Sequence, residues 1–369
     1  VIAIVQFVVF YLYSVPVAPV IYSLELLSFM LAVAVVFDYM AFYRRHKALK
    51  HSLLCDEIFQ VELYDTSDEW IYSRTGIKER RVVSGEQNAV DLGLEAAQRA
   101  LEKAKINPND LDLIIAASSA PPDLYPAIAC HIQTRLGITT QIPAFDITAA
   151  CTGLIYALNI AKAYIASGMY KTILLVATDN NSRLVNWEDR GTSILFGDGA
   201  GAMVVTASDD GVDDIIAIDI KADGSIGDLI ELAFDGKNCP LVEQYEPKPQ
   251  GIRMNGRGVY TFVAKVLPHY VEQLIADAGM KAEDIDYLIP HQANIRIIQA
   301  VQERLGYSDD KVVTNIKYYG NTSAASIPLA LAESVEKGNV KLGSTAILCG
   351  FGAGMTWGGA IVRLREGIC

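Results

Sequence analysis

The sequence predicts an α/β fold with largely buried strands, assembled from two similar halves. Three observations carry this. Amphipathic helical stretches alternate with short apolar runs. Those runs are apolar at nearly every position, as strands covered on both faces are. One helix–turn–strand unit occurs twice. Val90–Ala104 places its apolar residues at helical spacing. After Asn107 and Pro108 comes DLDLIIAAS, a short apolar run bounded by turn signals and read as a buried strand. TILLVA (172–177), AMVVT (202–206) and STAILC (344–349) read the same way. The repeated unit spans residues 97–117 and 271–291, each running helix, turn, then Asp-apolar-Asp-apolar. Asp110, Leu111 and Asp112 correspond to Asp284, Ile285 and Asp286 at an offset of 174 residues. A duplication would give halves at 52–215 and 216–369, the boundary falling in the Asp-, Gly- and Ser-rich stretch near 209–225. Two generic helix–strand units can also match by chance.

Residues 1–51 do not share this pattern. From Val1 to Phe37 the only charged residue is Glu25; Asp38, Arg44, Arg45, His46, Lys47 and Lys50 follow. The segment carries net +2, against −14 for the remainder of a chain at −12. Val17–Phe37 is 21 residues long, enough to cross a bilayer as a helix. The basic cluster after it would then lie in the cytoplasm. Three readings stand: a membrane anchor holding a cytoplasmic protein, a mis-called gene start (the chain begins with Val), and an ordinary buried segment. The near absence of polar spacing disfavours the third.

Charge and cysteine usage exclude some functions. The acidic balance shows no clustered excess of Lys and Arg, so nucleic acid is not an expected partner. An acidic substrate or partner must be met by a local basic patch. Cys55, Cys130, Cys151, Cys239, Cys349 and Cys369 form no CxxC pair and no zinc-type spacing with His. Such scatter reads as reduced thiols in a reducing, cytoplasmic compartment, with no metal site.

Cys151 stands out among them. It lies in PAFDITAACTGLIYAL, where a strand-like segment hands over to a helix-like one ending at Gly168. A thiol at a helix N-terminus meets the positive end of the dipole, which lowers its pKa. Ala149, Ala150 and Gly153 leave room for a substrate. The bland alternative is a small buried hydrophobe. Among the histidines, His291 alone follows directly on a buried strand, in YLIPHQANIRI, and strand ends are where α/β folds build sites. Asn321, in KYYGNTSAASIPLAL, precedes a helix; a cap is its ordinary role. FGDGAGAMVV (196–205) is not a dinucleotide fingerprint, because a strand rather than a helix follows the glycines. GFGAGMTWGGA (350–360) reads as a tight backbone loop offering N–H groups to an anion.

Together these segments resemble β-ketoacyl-acyl carrier protein (ACP) synthase III, the initiating condensing enzyme of type II fatty-acid synthesis in the thiolase superfamily. The resemblance rests on TSDEWIYSRTGIKERR (66–81), AFDITAACTG, DRGTSILFGDGAGA, HQANIRI, YYGNTSAASIP and GFGAGMTWG. It runs from about Asp56 to the C-terminus. The glycine-containing strand and Tyr-Leu-Pro turn that open the family are not visible before it. The resemblance implies the thiolase-like, five-layered αβαβα fold with two pseudo-duplicated halves, and a homodimer. It implies a catalytic triad of Cys151, His291 and Asn321, with Cys151 and Ala353 supplying oxyanion-hole N–H groups. Ala353 stands where the family usually has Gly, and a backbone donor tolerates Ala if φ is negative.

By the same matching, Trp70, Arg74 and Arg190 hold the adenine end of coenzyme A, Trp70 by stacking. Gly256 and Asn294 line the tunnel, and Arg296 attracts acidic ACP. Tyr125 and Leu195 belong to the acyl pocket; Tyr125 replaces a usual Phe that reaches the partner subunit's pocket. The implied substrates are an acyl-CoA, acetyl-CoA first among them, and malonyl-ACP. No cofactor is implied, coenzyme A entering as part of the substrate. Two other readings remain at this point: a related condensing enzyme of secondary metabolism, and a membrane-tethered inactive scaffold.

Overall fold

The computed structural model describes residues 66–208, 210–233 and 251–365. The apolar segment and basic flank at 1–51 lie outside the described residues. Among those described, no helix is long and apolar enough to cross a membrane.

The elements, in order, are α1 (Asp68–Thr75), α2 (Ala89–Ala104), β1 (Leu113–Ala117), α3 (Ile128–Arg135), β2 (Ala144–Ile147), α4 (Gly153–Ala166) and β3 (Thr172–Asn180). Next come α5 (Arg190–Ser193), β4 (Asp198–Thr206), β5 (Ile215–Ala222), β6 (Ile230–Leu232), β7 (Ile252–Met254), α6 (Gly256–Asp277) and β8 (Tyr287–Pro290). The chain ends with α7 (Ile295–Leu305), α8 (Ile316–Tyr319), α9 (Ser326–Glu336), β9 (Thr345–Gly352) and β10 (Thr356–Arg363). One sheet has the order β2-β1-β3-β4, the other β5-β10-β9-β8; β6 and β7 form a separate ribbon. In the first sheet β1 is parallel to β2 and β3, and β4 is antiparallel to β3. In the second β8 is parallel to β9, and β10 is antiparallel to both β9 and β5.

Side-chain parity explains why the strands lack polar alternation. Leu113, Ile115 and Ala117 of β1, with Ile173, Leu175 and Ala177 of β3, pack against α4 and α9. Ile114, Ala116, Leu174 and Val176 face the other way, onto α2 and α3. In β9, Ala346 and Leu348 join the first cluster while Ile347 and Cys349 pack on α6 and α7. Helices therefore cover both faces of both sheets, with α4 and α9 lying between them.

Local rules set the helix ends. α2 opens on a capping box: Asn88 Oδ1 accepts from Val90 N–H (2.8 Å) and Asp91 Oδ2 from Asn88 N–H (2.8 Å). α7 is capped by Asn294, whose Oδ1 accepts from Arg296 N–H at 3.0 Å, and stops at Gly306 with φ +68°. The two copies of the repeated unit take the same course. Each leaves its helix through a 3₁₀ turn, Pro108–Asp110 or Ala282–Asp284, into β1 or β8. Asp112 N–H donates to Thr172 O and Asp286 N–H to Thr345 O, both at 2.8 Å. The same aspartates return the bond, Asp112 Oδ2 accepting from Thr172 N–H and Asp286 Oδ2 from Thr345 N–H, each at 2.9 Å.

Two glycine runs lie mostly in strands. β4 starts at Asp198, so Gly199 and Gly201 of FGDGAGA lie within it. A Cβ on Gly201 would stand 2.7 Å from the Pro328 ring, so glycine there lets α9 settle onto the sheet. The expected tight loop at 350–360 is confined to Ala353–Met355, with Gly350–Gly352 in β9 and Thr356–Ala360 in β10. The sequence alone does not separate glycine needed for a turn from glycine needed for close packing.

Candidate active site

The two helices between the sheets begin at the same place. α4 is preceded by a 3₁₀ turn, Ala150–Thr152, and α9 by another, Ser323–Ala325. Each turn opens on a non-glycine residue with positive φ, Ala150 at +46° and Ser323 at +53°. Such conformations cost about 1–3 kcal/mol each and persist where packing over-determines them. Neither helix has a side-chain cap, and the positive ends of both face the site.

Cys151 sits in the first turn. Its side chain lines a cavity of about 220 Å³ that is also lined by His291, Asn321, Ser323, Gly352 and Ala353. The end of β9 presses on the nucleophile turn: a Cβ on Gly352 would stand 2.8 Å from Cys151 N and 3.1 Å from Thr152 N. Among the described residues, neither Cys151 N–H nor Ala353 N–H donates to a backbone carbonyl. Ala353 is not among the residues with positive φ, so Ala is tolerated there.

The thiol does not have the lowered pKa expected from a helix start. Although Cys151 keeps some surface open to the cavity, burial pushes its thiol up to about 12. A Ser323 hydrogen bond opposes that rise and the Asp179 charge adds to it. Desolvation outweighs the dipole here. Asp179 is itself fully buried at the end of β3. Its carboxylate accepts from Ser119 N–H (2.7 Å), Ser118 Oγ (3.2 Å) and Ala324 N–H (3.3 Å). Burial still raises its pKa to about 6.

His291 leaves β8 with its N–H bonded to Cys349 O at 2.7 Å. Its ring is buried, stands edge-on to Phe351 at 5.4 Å, and has Nδ1 2.6 Å from Ser326 Oγ. Among the described residues Nε2 has no hydrogen-bond partner. Burial lowers its pKa to about 3, so the ring is neutral near pH 7. Asn321 is clamped through its backbone: its N–H donates to Leu195 O (2.9 Å) and its O accepts from Gly197 N–H (3.0 Å). Its Oδ1 accepts from Ser323 N–H at 2.9 Å. Oxygen is thereby committed to the turn, and the amide's NH₂ remains as the group that can donate elsewhere. A neutral thiol, a neutral imidazole and an amide around one cavity can capture an acyl group and donate hydrogen bonds to an oxyanion.

The comparisons with known proteins agree with this geometry. The profile described as 3-oxoacyl-[acyl-carrier-protein (ACP)] synthase III matches residues 145–224, and that of the synthase III C-terminal region matches 275–364. β-Ketoacyl-[acyl-carrier-protein] synthase III of Clostridium perfringens is 45% identical over 303 residues, covering 82% of this chain and 93% of the relative. The protein of the same name from Thermosynechococcus vestitus is 48% identical over 304 residues, covering 82% and 91%. The chain belongs to the β-ketoacyl-ACP synthase III family. It is thus a condensing acyltransferase, with the thiolase-like α/β fold of that family. The crystal structure of 3-oxoacyl-[acyl-carrier-protein] synthase III from Aquifex aeolicus superposes with a TM-score of 0.74 at 42% identity, covering 82% of this chain and 92% of that one.

The structure distributes the residues matched to the synthase III motifs over two places. Leu195, Gly256 and Asn294 line the same cavity as Cys151. Trp70, Arg74, Arg190 and Arg296 do not line it. Trp70 has the guanidinium of Arg74 at 4.6 Å and that of Arg190 at 4.8 Å from its ring centre. Arg296 Nη2 donates to Ser73 O at 3.1 Å, beside them. Gly191, next to Arg190, lines the cavity and links the two places. Tyr125 is not part of the cavity; it is 87% exposed, next to Leu124 at 66%. Sequence reasoning missed Asp179, Ser323, Ser326 and Phe351. Each sits inside a recognised motif or strand, and only its partners across the fold distinguish it.

Proposed function

We propose that this chain condenses an acyl-CoA with malonyl-ACP, with loss of carbon dioxide, to give a 3-oxoacyl-ACP, the step that starts type II fatty-acid synthesis. The observation that carries this is one cavity holding Cys151 between two donor groups, His291 and Asn321. Cys151 sulfur attacks the acyl thioester and displaces the coenzyme A sulfur, which takes the thiol proton. The transient oxyanion lies against Cys151 N–H and Ala353 N–H. Malonyl-ACP then binds, and its thioester oxygen accepts from His291 and Asn321. Those bonds strengthen as the carbon–carboxylate bond breaks and the enolate forms. The carbanion attacks the acyl carbonyl carbon, whose bond to Cys151 sulfur breaks; the sulfur leaves as thiolate and takes a proton from water. Two donors aimed at a developing oxyanion are each worth about 3–4 kcal/mol in a dry site.

The Trp70–Arg74–Arg190 cluster holds the adenine and phosphates of coenzyme A. Its exposed guanidinium groups, with Arg296, give an acidic chain the basic patch an acidic carrier protein requires. Gly256, Asn294 and Leu195 line the path to Cys151. We further infer a homodimer, supported by the exposed Leu124–Tyr125 pair, which fits an acyl pocket completed by the partner subunit. The chain is also read as two duplicated halves forming five layers, a reading supported by the matched Asp112 and Asp286 clamps.

Mass spectrometry after incubation with a panel of acyl-CoAs tests the first half-reaction. An adduct on Cys151, absent in Cys151→Ala, is expected, with acetyl-CoA the best donor; condensation retained by Cys151→Ala would overturn the proposal. His291→Ala should weaken carbon dioxide release from malonyl-ACP far more than acylation of Cys151. Equal loss of both would overturn the role given to His291.

A further inference from the structure

Ser326 is the first residue of α9 and is 1% exposed. A serine at a helix start ordinarily turns back to cap its own helix. Here it does not: the cap residue is Ala325 and α9 has no side-chain cap. The Ser326 hydroxyl points instead across the site, 2.6 Å from His291 Nδ1 and 3.3 Å from Gln292 N. Among the described residues these are its hydrogen-bond partners. Their chemistry differs. Gln292 N–H can only donate, so the hydroxyl oxygen accepts there. The hydroxyl has a single hydrogen. Either it goes to His291 Nδ1, or it is left without an acceptor in a buried site, which native structures avoid.

A donor at Nδ1 makes that nitrogen the bare one of a neutral imidazole, and places the ring hydrogen on Nε2. Among the described residues Nε2 has no hydrogen-bond partner, and the ring borders the cavity. We propose that Ser326 is a positioning residue that holds His291 in the Nε2–H tautomer, so that the ring offers the cavity a donor rather than a lone pair. In the other tautomer the ring would present a lone pair to the oxygen of a bound thioester and repel it as the enolate forms. One contact to the ring that Ser326 polarises and two around its backbone accompany this bond. His291 N–H is held by Cys349 O, Phe351 stands edge-on to the imidazole, and Gln292 Nε2 donates to Pro290 O at 2.7 Å. Ser326, on Nδ1, is the group that touches the choice of which ring nitrogen carries hydrogen.

The kinetic part of the test rests on the function proposed above; the spectroscopic part does not. Protein labelled with nitrogen-15 histidine gives long-range proton–nitrogen spectra in which the His291 ring is assigned by its loss in His291→Asn. The native ring should show hydrogen on Nε2 alone, and Ser326→Ala a mixture of tautomers. In the same variant, carbon dioxide release from malonyl-ACP without primer should fall on the order of tenfold or more, the scale of weakening one oxyanion donor. Acylation of Cys151 by acyl-CoA should change little. Ser326→Thr, which keeps the hydroxyl, should restore both the single tautomer and the decarboxylation. Hydrogen on Nδ1 in the native protein would overturn the proposal, as would a single Nε2–H tautomer persisting in Ser326→Ala. If Ser326→Ala does not fold, the native and Ser326→Thr spectra decide. A native protein that releases no carbon dioxide while its spectra behave as stated would remove the functional reading and leave the assignment of Ser326 standing.

Discussion

Gly352→Ala tests the geometry of the nucleophile turn directly. The added methyl would stand 2.8 Å from Cys151 N, 3.1 Å from Thr152 N and 3.2 Å from Ala149 O. All three are backbone atoms, so no flexible side chain can swing aside. An ordinary contact needs about 3.5 Å, so the turn must move by about 0.7 Å. A shift of that size takes a hydrogen bond from about 2.9 Å to about 3.6 Å, beyond the useful range. Cys151 N–H would then no longer reach an oxyanion at the thioester. Loss of one such donor costs about 10²–10³ in rate, while overpacking costs only about 1–3 kcal/mol of stability. The assay is rapid-quench acylation of Cys151 by acetyl-CoA, followed by mass, with thermal unfolding alongside. A folded Gly352→Ala protein should acylate at least about a hundredfold more slowly. Gly350→Ala is the control. Its methyl would meet His291 Cβ at 3.2 Å instead, so acylation should stay near native. Native acylation by a folded Gly352→Ala protein would refute the claim that Cys151 N–H works in the oxyanion hole.

Two further outcomes follow from the buried ionisable groups. Asp179→Asn should destabilise the fold by about 1–3 kcal/mol, because an amide cannot accept from all of Ser118, Ser119 and Ala324. It should also shift alkylation of Cys151 by iodoacetamide to lower pH, since the Asp179 charge adds to the rise in the thiol pKa; an unchanged alkylation profile would contradict that coupling. His291 should make the protein acid-sensitive. Its folded pKa is lowered from 6.5 to about 3, so the stability it contributes is complete above 6.5 and is lost as pH falls toward 3. At pH 5 the loss is about 2 kcal/mol. Asp179, raised from 3.8 to about 6, works the other way: stability is lost as pH rises from 3.8 through 6. Comparison with His291→Asn cancels that contribution. Urea unfolding at pH 7 and pH 5 should show the native protein losing about 2 kcal/mol more than the variant, and equal losses would refute the assignment.

Much of the site was legible because strand ends and helix starts are visible in sequence. His291 follows a buried apolar run, and Cys151 stands between a strand pattern and a helix pattern; both features are local. The strands were legible for a related reason, their burial on two faces leaving continuous apolar runs such as TILLVA. What was not legible depends on distance along the chain. Ser326 meets His291 across 35 residues and Asp179 meets Ala324 across 145, and neither pairing has a local pattern. The glycines of GFGAGMTWGGA make the loop read wider than it is, for a physical reason. A glycine required by the approach of Pro328 or of Cys151 N looks the same in sequence as one required by a turn. Trp70, Arg74 and Tyr125 carry no signal of their own; only the family motifs raise them above ordinary surface residues.

The thiol and imidazole shifts bear on how the nucleophile is made. A Cys151 thiol near 12 and a His291 ring near 3 mean that the resting pair is neutral. An imidazolium–thiolate pair would require proton transfer against both shifts. Ionising the thiol from a pKa of about 12 rather than 9 costs about 4 kcal/mol more, and a neutral His291 held as Nε2–H has no lone pair aimed at the sulfur. The chemistry does not require a resting thiolate. Exchange of one thioester for another consumes one thiol and releases one, so the proton lost by Cys151 is regained by the coenzyme A sulfur. The anion need exist only while the acyl group is in place. At that moment the positive ends of α4 and α9 face it. Burial that raises the resting pKa then protects the thiol from adventitious oxidation and alkylation, while the two helix starts favour the charge once substrate brings it about. Alkylation of Cys151 without substrate should accordingly be slow at pH 7 compared with that of an exposed cysteine, and equal rates would refute the raised thiol pKa.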